Sequence, residues 1–299
     1  MGRSLPLIQG LHDANRAVFR RPPIEMGANM TTAGAPLIRT TMGFIPLGSR
    51  IGRLPFMTTD RPAWWLDELA HAGNEHLDAD YVASYDRKAG FDPMLDLELL
   101  RALGLDDSST LVDLGAGSGQ MVLAAARVCR RVVAVDVSPV MLDRLRARAE
   151  EMRLENVEYA RAGFLTYAHR GEPADFVYSR NALHHLPDFW KGIALRRLAE
   201  MLRPGGVLRL RDLVFDFEPA QAEIVIEAWL ASAVERREDG WTRPELESHL
   251  REEYSTYTWL LEAMLVRAGF DIREAGRSGS QIHAAYTCVR PGEVVPDAM

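Results

Sequence analysis

Cysteine and lysine are scarce in this sequence, and long apolar runs are absent. Two cysteines among 299 residues, Cys129 and Cys288, are too few and too far apart for a disulfide framework or a zinc cluster. Both sit in apolar stretches and read as small core residues. No segment approaches the ~20 apolar residues that a membrane span requires. The start lacks the basic-then-apolar pattern of a signal peptide. A cytoplasmic protein with no membrane association is the expectation. Lys88 and Lys191 are the only lysines among 35 basic residues, which reads as codon preference rather than arginine-specific chemistry.

Charge is unevenly spread. The formal net charge is -7, yet residues 1–56 hold seven arginines (Arg3, Arg16, Arg20, Arg21, Arg39, Arg50, Arg53) against Asp13 and Glu25, a local +5 that leaves -12 for the remainder. A body this acidic is a poor match for polyphosphate backbones, which reward clustered basic residues. Nucleic acid is therefore not expected as a partner, and a small molecule is.

Residues 1–56 are rich in Gly, Pro, Thr and Arg without sustained periodicity, and read as a flexible extension. From about 61 to 103 apolar residues recur at helix spacing: Trp64, Trp65, Leu66 and Leu69, then Leu95, Leu97, Leu99, Leu100 and Leu103, with Gly104 as a stop. This predicts a helical lid over 57–104, with Trp64, Trp65, Tyr81 and Tyr85 as candidates to cover a ligand. A core over 105–215 then alternates strand and helix. Strands are expected at Thr110–Leu114, Val132–Val135, Val157–Ala160, Phe176–Ser179 and Val207–Leu210, and helices at Gln120–Val128, Pro139–Met152 and Asp188–Leu202. Such alternation predicts a parallel sheet covered on both faces. Beyond it, Pro219–Val234, Pro244–Leu250 and Thr256–Ala268 predict a helical insertion over 216–268. Phe270–Glu274 and His283–Val289 predict a closing antiparallel hairpin over 269–290.

The sharpest motif is Leu111-Val-Asp-Leu-Gly-Ala-Gly-Ser-Gly-Gln120, where a strand meets a helix. Glycines 115, 117 and 119 permit a tight turn and close approach of backbone to a ligand. The next strand ends in Asp136, placed to accept hydrogen bonds from a ribose diol. A dinucleotide loop presents its helix N-terminus to a pyrophosphate. The Asp113 carboxylate would repel that group, whereas it suits the ammonium of an amino-acid-like ligand. Asp113 and Asp136 together describe S-adenosylmethionine better than NAD.

These residues resemble the first motif of the class I methyltransferases, acidic-x-Gly-x-Gly-x-Gly. Asp136-Val-Ser-Pro139 with Met141-Leu142 resembles their second motif. Ala174–Ser179 with Leu183-His-His-Leu186 resembles the fourth-strand motif, and Leu202-Arg-Pro-Gly-Gly206 the turn into the fifth strand. The resemblance covers about 100–290. It implies a Rossmann-like three-layer α/β sandwich with a seven-stranded, mostly parallel sheet and an antiparallel last strand, so that 57–299 would be a methyltransferase domain. It implies S-adenosyl-L-methionine as cofactor, held by Asp113, Gly115, Ala116, Gly117, Gly119, Asp136, Val137, Met141, Gly163, Phe164 and Asn181. Asp136 would hold the ribose, and Val137 and Met141 would flank the adenine. The family often has an acid after the third strand for the adenine amino group. Arg161-Ala-Gly-Phe-Leu165 has none, which leaves Gly163 and Phe164 at that place.

Methyl transfer from a sulfonium is an in-line displacement with an excellent leaving group, so alignment and desolvation do most of the work. A base is needed only for an acceptor that is protonated at working pH. Candidates follow the fourth strand (Tyr178, Asn181, His184, His185) and the fifth (Arg211, Asp212). His184, Tyr178 and Asp212 are preferred as catalytic. No further ligand at helix spacing completes a zinc site around the two histidines, so no metal is expected. Glu252 or Glu253 with Tyr254 and Tyr257 are further candidates for an acceptor pocket. Three other readings stay open: a macromolecular acceptor, an NAD-dependent oxidoreductase, and a cofactor-binding or partner-binding relative without turnover. The oligomeric state stays open between monomer and homodimer.

Overall fold

A computed structural model describes residues 62–71 and 91–292. The expected extension over 1–56, and Tyr81 and Tyr85 of the expected lid, lie outside the described residues. Those from Leu66 onward belong to one compact unit, and 62–65 belong to another. The latter form a turn in which the Trp65 amide donates to the Pro62 carbonyl (2.8 Å), with the Trp64 and Trp65 rings 5.4 Å apart.

Eight strands build one sheet: β1 (Thr110–Leu114), β2 (Arg131–Asp136), β3 (Val157–Arg161), β4 (Ala174–Arg180), β5 (Leu202–Phe215), β6 (Thr256–Tyr257), β7 (Asp271–Arg277) and β8 (His283–Val289). Seven of them run in the order β3-β2-β1-β4-β5-β8-β7, and β6 pairs with β5 off that path. The first five are parallel, and β8 is antiparallel to both neighbours. The expected closing hairpin is present. β1 is buried along its whole length, as expected of a central parallel strand with both faces covered.

Among the described residues the helices are α1 (Met94–Ala102), α2 (Gln120–Ala125), α3 (Pro139–Glu151), α4 (Asp188–Met201), α5 (Ala222–Leu230), α6 (Arg243–Glu252) and α7 (Thr258–Ala268). Strand order steps outward from β1 to β3 and then returns to the other side of β1 with β4. Right-handed crossovers therefore put α2 and α3 on one face and α4 on the other. The reversal between β1 and β4 is a topological switch point, where a crevice opens beyond the carboxyl ends of the strands. On the α2–α3 face Leu100, Leu111, Val122, Val132 and Leu145 pack in one fully buried cluster.

Three expectations need correction. No continuous helix covers the described part of 57–104. Residues 62–68 are turn and coil, Leu69–His71 is a single 3-10 turn, and α1 starts only after Pro93. The Asp67 side chain accepts from the Leu69 amide (3.1 Å), a local bond that competes with the helical ladder. β5 is longer than the apolar run Val207–Leu210 suggested, because its ladder with β8 continues to Leu213. Thr256 and Tyr257, expected as the first turn of a helix, are instead extended and pair with Val214 and Phe215.

Candidate functional site

An open cleft lies at the switch point. Its floor is the loop between β1 and α2. The Gly115 and Ala116 amides both donate to the Val135 carbonyl (2.9 and 3.1 Å), and the Gly117 amide donates to Asp136 Oδ2 (2.8 Å). The glycine loop is thus stitched to the end of β2. Gly115 has φ +74°, and a Cβ there would collide with Ala182, which carries the opposite wall. Asp136 Oδ1 accepts from the Ser138 amide (2.8 Å). Ser138 Oγ then caps α3 by accepting from Met141 N (3.2 Å), with Pro139 at the first helical position. This pairing of cap and proline fixes the first turn of α3 and points Met141 at the cleft.

Of the residues expected around the cofactor, Asp113, Gly115, Ala116, Gly117, Asp136, Val137, Met141, Gly163, Phe164 and Asn181 all line this cleft. Gly119 does not. It sits one step behind, as the left-handed residue that precedes α2 (φ +84°). Asp113 is almost fully buried, and burial, reinforced by the charge of Asp136, holds its pKa well above the usual carboxylate range. A buried acid in that state waits for a cation. Asn181 is held at φ +49°, a left-handed conformation that Asn tolerates better than most residues. Its amide donates to the Arg211 carbonyl (2.9 Å), and its side-chain oxygen is buried with no hydrogen-bond partner.

Glu68 is a cleft residue that the motifs did not signal. Only 6% exposed, it accepts from the Leu165 amide (2.9 Å) and the Thr166 hydroxyl (2.8 Å). A Cβ on Gly163 would come within 2.6 Å of its carboxyl carbon. A carboxylate thus stands beside the loop after β3, brought from a segment some hundred residues earlier. Gly163 is small because that carboxylate needs the space. Nothing in the sequence around Trp65–Glu68 could have announced this.

The expected catalytic trio divides. Tyr178 lines the cleft, but its hydroxyl donates to Asp96 Oδ2 (2.9 Å), and burial, with the Asp96 charge adding to it, raises its pKa well above the ordinary value. His184 and Asp212 are not on the cleft wall; His185 is. The short turn Leu183–His185 seals His184 beneath the surface. There its Nδ1 is hydrogen-bonded to Asp212 Oδ1 and its Nε2 lies 3.0 Å from Glu253 Oε2. Asp212 also accepts from the backbone amides of His184 (3.1 Å) and Leu213 (2.8 Å). Burial alone would depress the pKa of His184. The Asp212 charge and hydrogen bond, joined by Glu253, outweigh it and raise the value to about 10. Burial would raise Glu253, but the His184 and His249 imidazoles against its carboxylate leave it below its usual range.

Glu253 was expected in an acceptor pocket with Glu252, Tyr254 and Tyr257. It instead closes this buried network, and Tyr257 packs on Phe215, Phe217 and Trp259. The chain also brings the side chains of His184, His185 and Glu253 together, with one potential ligand atom of each within 4.8 Å of the others. Sequence spacing gave no hint of that third member, because it arrives from the far end of α6.

Residues 111–206 match the family model described as a methyltransferase domain. The chain is 35% identical over 116 residues to the trans-aconitate 2-methyltransferase of Azoarcus sp., covering 38% of this chain and 43% of the relative. It is 32% identical over 160 residues to the 27-O-demethylrifamycin SV methyltransferase of Amycolatopsis mediterranei, covering 50% and 55%. The chain thus spans about half the length of these curated relatives. A crystal structure of a putative methyltransferase from Bacillus halodurans shares the fold, with a TM-score of 0.52, 16% identity, and coverage of 66% of this chain and 98% of that one. No helix among the described residues is long and apolar enough to cross a membrane. Glycine loop, strand-end acid, strand order and family match agree: residues 111–206 match a methyltransferase domain, and the chain is similar in motifs and fold to the class I, Rossmann-like, S-adenosylmethionine-dependent methyltransferases.

Proposed function

We propose that this protein transfers a methyl group from S-adenosyl-L-methionine to a small-molecule acceptor. The observation that carries the reading is the pair of acids in the cleft. Asp113 is buried, with burial and the Asp136 charge holding its pKa above the usual carboxylate range, and Asp136 ends the neighbouring strand. Such a donor set fits the group: an ammonium for Asp113, a ribose diol for Asp136, and the unpartnered Asn181 oxygen beside them. When bound, the cofactor supplies an electrophilic methyl on a sulfonium. The chain binds and aligns through the glycine loop, and Phe164 and Met141 keep water from the nucleoside end. His185, rather than His184, is the imidazole on the cleft wall and the one placed to take an acceptor proton. A small acceptor is supported by the acidic body and by two relatives whose names specify small molecules.

Calorimetric titration with S-adenosylmethionine, S-adenosylhomocysteine and NAD tests the reading. The two adenosyl ligands should bind and NAD should not. Asp136→Ala should weaken adenosyl binding by at least about 1–3 kcal/mol, the scale of lost charge-assisted hydrogen bonds. A folded sample that binds neither adenosyl ligand would defeat the proposal.

Asp113 gives a second expected result. An arriving ammonium stabilises its ionised form, so binding should release a proton and tighten as pH rises through the raised pKa of the free protein. Titration in two buffers of different ionisation enthalpy reads that proton directly. Release in wild type and none in Asp113→Asn is expected. Proton uptake, or no exchange in wild type, would show that Asp113 does not meet the ammonium.

A further inference from the structure

Arg180 lines the cleft on its β4 side, with Arg211 beside it on β5, and neither makes an ion pair with an acid among the described residues. Arg180 and Arg211 are Cα partners across β4 and β5, and one step earlier on the same face Tyr178 and Arg209 are partners too. The two layers differ in one respect. In the lower layer Asp96 accepts from the Tyr178 hydroxyl (2.9 Å) and from Arg209 Nε (3.0 Å), and Thr287 Oγ1 accepts from Arg209 Nη1 (3.1 Å). In the upper layer neither guanidinium has a carboxylate partner among the described residues, and Arg180 Nη1 is buried without any hydrogen-bond partner. The Arg180 guanidinium lies 4.0 Å over the Phe91 ring, and both residues line the cleft. That ring fixes its place but neutralises no charge.

A half-buried cation without an ion-pair partner is costly, and two side by side cost more. The neighbourhood registers it. Burial and the nearby Arg180 charge lower the Arg211 pKa. Burial, with Arg211 and Arg180 following, pushes His283 down to about 4, so it stands neutral beside them. Guanidinium pairs of this kind match the planar oxygens of a carboxylate.

Position separates this pair from the cofactor. The nucleoside end is marked by Asp136 on β2 and Gly163 beyond β3, and the amino-acid end by Asp113 on β1. Arg180 and Arg211 lie on the opposite side of β1, on β4 and β5. Resting on the methyl-transfer reading above, we propose that Arg180 and Arg211 form the carboxylate-binding site of the acceptor, which is therefore a small organic acid.

The test uses the full-length protein and its variants Arg180→Gln and Arg211→Gln, with melting temperatures confirming the fold. Loss of an uncompensated charge should leave those temperatures unchanged or higher. Calorimetry on the protein saturated with S-adenosylhomocysteine follows trans-aconitate, succinate and benzoate, each against its methyl ester. In parallel, S-adenosylhomocysteine is compared with 5′-methylthioadenosine, which lacks the amino-acid carboxylate. At least one free acid should bind wild type tenfold or more tightly than its ester, and both variants should lose that preference while keeping the affinity for S-adenosylhomocysteine. A tenfold loss for S-adenosylhomocysteine alone, with methylthioadenosine unchanged, would assign the arginines to the cofactor carboxylate and overturn the proposal. Equal affinity for acids and esters, with S-adenosylhomocysteine bound normally, would overturn it as well and leave the methyl-transfer reading intact. A folded wild type that takes the acids through both arginines but binds no adenosyl ligand would do the reverse.

Discussion

Glu253→Ala is expected to cost about 3–5 kcal/mol of folding stability, the scale seen when one partner of a buried, hydrogen-bonded ion pair is removed. The cost reflects what is left behind. His184 is 5% exposed, lies between Asp212 and Glu253, and is a cation up to a pKa of about 10. His249 rests against the same Glu253 carboxylate. Without Glu253 both imidazoles face a gap, and the end of α6 loses its tie to the turn after β4. The pH dependence carries a signature of its own. A raised histidine pKa gives stability that is complete below the ordinary 6.5 and is lost as pH climbs toward 10. Lowered carboxylate pKa values give stability that is complete above the ordinary 3.8 and 4.5 and is lost as pH falls below them. The network should therefore contribute most between about pH 4.5 and 6.5. Denaturant unfolding across pH 4 to 10 should show that maximum in wild type and a flatter profile in Glu253→Ala. A loss below 1 kcal/mol, or an unchanged profile, would mean that the cluster is a packing feature without electrostatic weight.

The same cluster marks where the sequence ceases to be legible. Local chemistry was readable. Asp113, the glycines, Asp136 and the Ser138-Pro139 cap lie within 27 residues of one another, and the constraint on each comes from its immediate neighbours. The parallel core was readable for a related reason, since strands buried on both faces are written as unbroken apolar runs such as Val132–Val135. Long-range meetings were not. Glu68 reaches the loop after β3 across 97 residues, and Glu253, from within the helical insertion, reaches His184. Neither chain segment carries a pattern that names its partner. Which of His184 and His185 faces the cleft was illegible for a subtler reason. They are neighbours, yet a single 3-10 turn sends one inward to Asp212 and the other to the cleft wall, and nothing in a His-His pair encodes which is which. Over residues 64–69 the helical reading departs from the structure, because Trp and Leu at helix spacing satisfy a periodicity count as well in a turn as in a helix.

Gly119→Ala should be nearly as damaging, although Gly119 touches no part of the cleft. Two costs coincide at this position. Its φ of +84° is left-handed, which a residue with a Cβ adopts at a cost of roughly 1–2 kcal/mol. A Cβ there would also come within 2.8 Å of Leu145 Cγ and closer still to its terminal methyl. Leu145 is fully buried at the centre of α3, in the cluster beneath β1 and β2, so it has little room to move, and overpacking a core of this kind costs about 1–3 kcal/mol. Together the two predict a loss of about 2–5 kcal/mol. The functional consequence follows from chain order. Gly119 connects Gly117, whose amide is fixed to Asp136, to the start of α2. Displacing it shifts the loop that faces the cofactor, so S-adenosylhomocysteine affinity should fall along with the melting temperature. Leu145→Ala separates the two costs. Alone it should destabilise by about 2–5 kcal/mol through its cavity. Combined with Gly119→Ala it should give clearly less than the sum, because the new methyl enters space that the leucine vacates. Only the left-handed strain would then remain. Strict additivity in the double mutant would show that the packing of α3 against this glycine does not set the loop, and that the backbone conformation alone makes glycine necessary there.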